Sequence, residues 1–247
     1  LIKHKNYLEA LDQAAGILLH SISEIKYKDF LAALGPASGA DRVIVFFKKI
    51  SKNGKLVIPI QAQWVLNENV QPVRGGTHKF FLETVWPRWE KVLMSQEPVC
   101  SIVSDFPADE LMFWKQLNLK AILTLPIIID EQLRGFISFD NCLSQRQWTI
   151  SEIGFLYTAA NNLAAAIKRL EIKNELMKTQ LELEERVQQR TAALQQANME
   201  LLKTIQERDH IQNILRETEK VAAAGKLSAQ IAHEINNPLA GIKNSFL

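Results

Sequence analysis

Apolar and polar positions recur along this chain in two rhythms, and the change of rhythm divides it. Between residues 5 and 34, Leu8, Leu11, Ala15, Leu18, Ile22 and Ile25 return every three or four positions, the spacing of one helical face. Tyr27 opens a second short helix that carries Phe30, Leu31 and Leu34 inward, and Gly35-Pro36 reads as its stop. The β-rich run 42–50 (Val-Ile-Val-Phe-Phe within it) follows, then Asn53-Gly54, a strong hairpin signal. Residues 55–66 return as a second strand with Ile58, Ile60, Ala62 and Trp64 on alternate positions. The polar stretch 67–77, with Pro72 and Gly75-Gly76, reads as a loop.

Helical spacing resumes over 81–94, which holds Trp86 and Trp89 and is disturbed by Pro87 near its middle. A short strand over 98–103 and a helix over 107–117, carrying Leu111, Phe113, Trp114 and Leu117, come next. Residues 121–129 and 133–140 pair as a hairpin around Asp130-Glu131-Gln132. Thr149-x-x-Glu152 is a capping box and opens another helix. This order predicts an α+β fold, an antiparallel sheet flanked by helices.

From about Leu163 the rhythm is helical alone, with no glycine or proline before Gly225. Leu163, Ile167, Leu170, Met177 and Leu181 keep three-four spacing, and Val187, Leu194 and Leu201 recur every seven, a coiled-coil seam. The phase slips near Glu184 to Val187, and again where Arg208 and Gln212 occupy seam positions while Ile211 and Leu215 take over. Residues 170–237 would extend on the order of 100 Å at about 1.5 Å per residue, too long to stand alone, so a parallel homodimer in register is expected.

The last apolar stripe runs through Leu227, Ile231, Ile235, Leu239 and Ile242. His233 lies about 200° around the helix from Ile231 and from Ile235, and so projects away from that stripe. Pro238 predicts a kink just beyond it. His-Glu-x-x-His would bind zinc, but the fifth residue here is Asn237, so no metal is expected. A neutral imidazole can attack the γ-phosphate of ATP, Glu234 can hold its other nitrogen, and Asn237 lies one turn along the same face.

The string Gly225-x-Leu-x-Ala-x-Ile-Ala-His-Glu-Ile-Asn-Asn-Pro-Leu resembles the H-box of sensor histidine kinases of two-component systems. That resemblance implies that His233 is the phosphoacceptor, Glu234 its acid/base neighbour and Asn237 the polar residue one turn on. It also implies ATP and Mg2+ on an ATP-binding domain of the same protein, and a response-regulator receiver aspartate as the next acceptor. No Asp-x-Gly-x-Gly or glycine-rich lid follows, so the chain alone should not turn over ATP. It opens at Leu1 and closes at Leu247 in a helical pattern, which reads as a piece of something longer, stopping inside the dimerisation helical hairpin.

Residues 8–170 resemble a GAF domain, through Gly39-Ala-Asp-Arg-Val-Ile-Val-Phe, Leu125-Pro-Ile-Ile-Ile and Leu133-Arg-Gly-Phe-Ile-Ser-Phe-Asp-Asn-Cys142, then Trp148-Thr-x-x-Glu152. The resemblance implies a hollow between sheet and helices that in relatives takes cyclic nucleotides, haem or bilins, or nothing. Bilin attachment needs a cysteine commonly followed by histidine; Ser101 follows Cys100 and Leu143 follows Cys142, so no covalent chromophore is expected. His20 and His78 lack any pattern supporting a haem ligand. Trp64, Trp86, Trp89 and Trp114 are candidates for pocket lining or plain core. The ligand stays unknown.

The expected organisation is a GAF sensor over 1–170, a coiled-coil signalling helix over 171–220, and the first helix of a dimerisation and phosphoacceptor domain over 221–247. A net charge of +2 gives no reason to invoke nucleic acid or an anionic membrane. No apolar run is long enough to span a bilayer, and two cysteines without metal-ligand spacing fit a reducing cytoplasm. A competing reading of the same residues is a non-catalytic GAF and coiled-coil dimeriser whose H-box lookalike is inert.

Overall fold

The computed structural model describes residues 2–74 and 79–243, with side chains over 5–74 and 79–233. The chain divides into two compact units, Leu1–Leu176 and Met177–Leu247.

The first unit opens with α1 (Ile2–Leu19) and α2 (Tyr27–Ser38). Gly35-Pro36, expected to stop the helix, lies inside α2. Gly35 is there for packing: a Cβ on it would stand 2.3 Å from the Trp64 ring, so only glycine lets the indole lie against the helix backbone. Pro36 falls in the last turn, where its missing N–H forfeits one helical hydrogen bond, and Gly39, in the left-handed region at φ 67°, ends the helix instead.

Strands β1 (Arg42–Phe47), β4 (Ile60–Val65), β5 (Val99–Ile102), β6 (Ala121–Ile129) and β7 (Gln132–Asn141) form an antiparallel five-stranded sheet, in the order β4-β1-β7-β6-β5. The predicted strand 55–66 is broken. Its first part pairs in a separate ribbon of β2 (Lys49–Ile50) and β3 (Leu56–Val57), closed by Gly54 at φ 73°, and only β4 joins the main sheet. Pro59 separates the two; it cannot donate to a ladder, and its carbonyl accepts from the Phe47 N–H. The β6–β7 hairpin turns on Asp130 and Glu131, both at positive φ as a two-residue primed turn demands, while Gln132 already pairs with Ile129.

Both faces of the sheet are covered, which is why β6 reads as a near-continuous apolar run. On one face Val43, Val45, Leu125, Ile137 and Phe139 pack against α1, α2 and the start of α5 (Ile150–Lys243). On the other, Ile122, Leu133 and Phe136 meet α3 (Trp86–Met94) and α4 (Leu111–Gln116). Pro87 does disturb its helix: a π-helical turn, Phe81–Val85, precedes α3 and leaves the proline in the first turn, where no donor is missed. The helix predicted over 107–117 shortens to α4. The Arg88 guanidinium donates to both oxygens of buried Glu110 at 2.7 and 2.8 Å, and Trp114 Nε1 donates to the same carboxylate at 3.1 Å, tying α3 to α4.

The capping box at the start of α5 is reciprocal, with Glu152 N–H donating to Thr149 Oγ1 (3.3 Å) and Thr149 N–H to Glu152 Oε2 (2.9 Å). Leu156, Ala159, Ala160 and Leu163 bury its first turns in the core. In the second unit α5 is described alone, and every side chain described from Met177 to His233 is exposed. The predicted seam is open in this single chain, with Leu194 at 64% and Leu201 at 58% exposure. Helical backbone continues across Pro238 to Lys243; the side chains of Glu234, Asn237 and Pro238 lie outside the described residues.

Candidate functional site

A cavity of about 120 Å³ lies in the first unit, between the sheet and the helices α3 and α4. The alternation of β1 builds its floor: Arg42, Ile44 and Phe46 share the phase that faces the cavity, while Val43 and Val45 face the opposite core. Phe136, Ser138 and Asp140 do the same on β7, one strand over.

The roof is aromatic. Phe81, set in the π-helical turn, lies 5.7 Å from Trp89, 6.2 Å from Phe113 and 6.4 Å from Phe136, ring centre to ring centre. Trp89 and Trp114 stack at 5.3 Å. Of the four candidate tryptophans, Trp89 and Trp114 line the cavity, Trp86 is buried beside it, and Trp64 packs on α2 at the other face. The indole N–H groups of Trp86 and Trp89 have no acceptor among the described residues.

Two arginines border this apolar space, and sequence reasoning singled out neither. Arg42 is spent inside the protein: Nε donates to Asp140 Oδ2 at 2.9 Å, Nη2 approaches the same oxygen at 2.7 Å, and Nη1 donates to the Gln71 carbonyl at 2.9 Å. Burial works against its charge, but Asp140 outweighs that, and the guanidinium is held above its usual pKa. Ser138 Oγ donates to the other Asp140 oxygen at 2.5 Å. The pair is thus neutral in sum and closed upon itself. Arg74, exposed at the rim, makes no ion pair or hydrogen bond among the described residues.

Neither cysteine lines the cavity. Cys100 is exposed on β5, yet the protein around its sulfur partly desolvates the thiol and raises its pKa, against a lowering hydrogen bond from the Trp148 backbone. Burial pushes the Cys142 thiol up to about 11, with Arg42 pulling it down and Asp140 and Asp41 pushing it further up. His20 closes the end of α1, its Nδ1 lying 2.7 Å from the Gly16 carbonyl, away from the cavity; His78 lies outside the described residues. Among the described residues no cluster of His, Cys, Asp or Glu could hold a metal, and no helix is long and apolar enough to cross a membrane.

Around residues 168–171, α5 is fastened to the sensor fold. Arg134 of β7 pairs with Glu171 at 2.6 Å, Lys168 with Asp130 of the hairpin turn at 2.5 Å, and Arg169 donates to the Leu18 carbonyl at 2.6 Å. A strand that lines the cavity is therefore also a strand that holds α5. In the second unit His233 is exposed on α5, as are Leu227 and Ile231 at 60% and 56%.

Comparison with known proteins agrees with this architecture. The chain is 27% identical over 190 residues to the methanogenesis regulatory histidine kinase FilI of Methanothrix harundinacea, covering 76% of this chain and 21% of that protein. It is 35% identical over 80 residues to the circadian input-output histidine kinase CikA of Thermosynechococcus vestitus, covering 32% of this chain and 11% of the relative. The chain thus spans about a fifth or less of these relatives' length. Among solved structures, the phycoerythrobilin-bound GAF domain of a cyanobacterial phytochrome superposes with a TM-score of 0.56 at 14% identity, over 69% of this chain and 99% of that one. That likeness shares the fold and nothing finer. Residues 27–167 match the GAF domain family, and with the sheet order and flanking helices described above, the chain belongs to that family.

Proposed function

We propose that this chain is the sensor and phosphoacceptor segment of a cytoplasmic two-component histidine kinase. Occupancy of the GAF cavity controls ATP-dependent phosphorylation of His233, and the phosphoryl group passes to a response-regulator aspartate. The first unit senses; residues 171–220 form a parallel two-helix relay; residues 221–247 begin the dimerisation and phosphoacceptor domain. ATP and Mg2+ enter on an ATP-binding domain beyond this chain.

The observation that carries the reading is α5 itself. It is one 94-residue helix, Ile150–Lys243, whose seam side chains beyond Met177 are exposed and which carries an exposed histidine inside an H-box string. A lone helix of that length has too little packing to persist, so a second copy of the chain laid in register is the natural cover. The kinase names of FilI and CikA support the same reading.

Chemically, neutral His233 attacks the γ-phosphorus, the bond to the β-phosphate oxygen breaks, and ADP leaves. Glu234 holds the second ring nitrogen and offsets the charge that develops there, and Asn237 orients the phosphoryl group or a water. The slips of the seam give the helix pair two packings of similar energy. A coupling of about 1–3 kcal/mol from the cavity is enough to choose between them. The fastening of β7 to α5 through Arg134–Glu171 is the route by which the cavity would act.

The test is phosphorylation in trans, mixing the chain, extended through the second hairpin helix, with the parent protein's ATP-binding domain and labelled ATP. Acid-labile, base-stable label that vanishes in His233→Gln is expected. No label on a folded dimer would refute the reading and favour the inert dimeriser.

A further inference from the structure

The cavity is small, apolar and bordered by donors that have nothing to donate to, and together these name a ligand class. At about 120 Å³ it falls well under the roughly 300–1,000 Å³ of sites for drug-sized ligands. It is close to the roughly 150 Å³ of an apolar cavity that holds a single benzene ring. A cyclic nucleotide or a linear tetrapyrrole does not fit such a space; one aromatic ring with a short substituent does.

The walls favour a ring. Phe46, Phe81, Trp89, Trp114 and Phe136 surround the space with faces and edges, the geometry in which a further aromatic gains edge-to-face and offset contacts. The polar groups then fix what the ring must carry. Arg42 and Asp140 neutralise one another and are spent. What is left over is the Trp89 indole N–H, buried and without an acceptor among the described residues, and the Arg74 guanidinium at the rim, without a carboxylate among them. Both are donors and neither can accept. A ligand that satisfies them supplies acceptor oxygens, and opposite an uncompensated cation it supplies a negative charge.

We infer that the cavity binds a monocyclic aromatic carboxylate, its ring among Phe81, Trp89 and Phe136 and its carboxylate answering Arg74 and the Trp89 N–H. The inference rests on the sensor reading and gives that sensor its signal class. Trp89 is at once wall and donor, so its emission reports occupancy.

The test is titration of the full 247-residue chain with benzoate, by calorimetry and tryptophan emission, beside benzyl alcohol, cyclic GMP and biliverdin. Saturable benzoate binding is expected. Arg74→Gln, at the exposed rim where folding is not at stake, should weaken benzoate roughly tenfold and leave benzyl alcohol unchanged, the loss of one charge-assisted contact. Trp89→Phe, which keeps a ring and removes the N–H, should weaken both. Absence of benzoate binding, or equal affinity in Arg74→Gln, overturns the inference. Saturable binding of cyclic GMP or biliverdin in place of benzoate overturns the ligand class and leaves the sensor reading in place. Loss of labelling on His233 would instead strike the kinase reading and leave the benzoate titration standing.

Discussion

Replacing Arg42 by methionine should cost the sensor unit about 3–5 kcal/mol of stability, the usual cost of breaking a buried ion pair from one side. The structure supplies the reasons. The side chains of Arg42 and Asp140 are 3% and 4% exposed, so the carboxylate left behind is cut off from bulk water. Among the described residues its remaining side-chain partner is the Ser138 hydroxyl at 2.5 Å. The Gln71 carbonyl loses its donor as well. The double replacement Arg42→Met with Asp140→Leu removes both charges and leaves an apolar contact beside Ile44 and Phe136, so it should lie within about 1 kcal/mol of the parent. The coupling between the sites is then about 2 kcal/mol or more. Urea unfolding followed by tryptophan emission isolates the unit, because all five tryptophans lie between Trp64 and Trp148. A single mutant that loses less than about 1 kcal/mol, or a double mutant as weak as the two singles added, would refute the account of Arg42 as a closed internal pair. It would also return Arg42 to the cavity as a free cation.

The thiols and the seam give two more expectations. At pH 8 a thiol reagent should label Cys100 in the folded protein and Cys142 only after unfolding, since Cys142 is buried and its thiol is held up to about 11. The folded state keeps that proton longer than the unfolded chain, so this stabilisation is whole below the ordinary thiol value of 9.0 and is lost as pH rises toward 11. Urea midpoints from pH 8 to 11 should therefore fall less steeply in Cys142→Ala than in the parent. For the relay proposed above, Leu194→Asp should weaken self-association by roughly a thousandfold, as the two leucines that the proposed pair would bury are lost at about 2 kcal/mol each. Sedimentation showing an undiminished dimer would remove that seam.

Much of this fold is visible in local patterns because its causes are local. Thr149-x-x-Glu152 forms its capping box because both partners lie within one turn, and Asp130-Glu131 turns because two adjacent residues accept positive φ. Gly35-Pro36 misleads for the opposite reason: the glycine answers to Trp64, which arrives from another strand. Pro87 announces a disturbed helix, yet the π-helical turn that absorbs it, and that hands Phe81 to the cavity, depends on what packs beneath.

The cavity shows the same division. Its walls follow from the two-residue period of β1, in which Arg42 stands out as a charge in phase with Ile44 and Phe46. That phase is a readable signal that an arginine points into the sensor. Whether it meets a ligand or a carboxylate is decided 98 residues away, where the β1–β7 register sets Asp140 opposite Arg42. Register is a property of the assembled sheet, so the sequence presents two unpaired charges where the fold holds one neutral pair. Once that pair is closed, Arg74 is left as the cation at the cavity without a partner among the described residues, and the choice of ligand passes from the conspicuous arginine in the strand to the inconspicuous one in the loop.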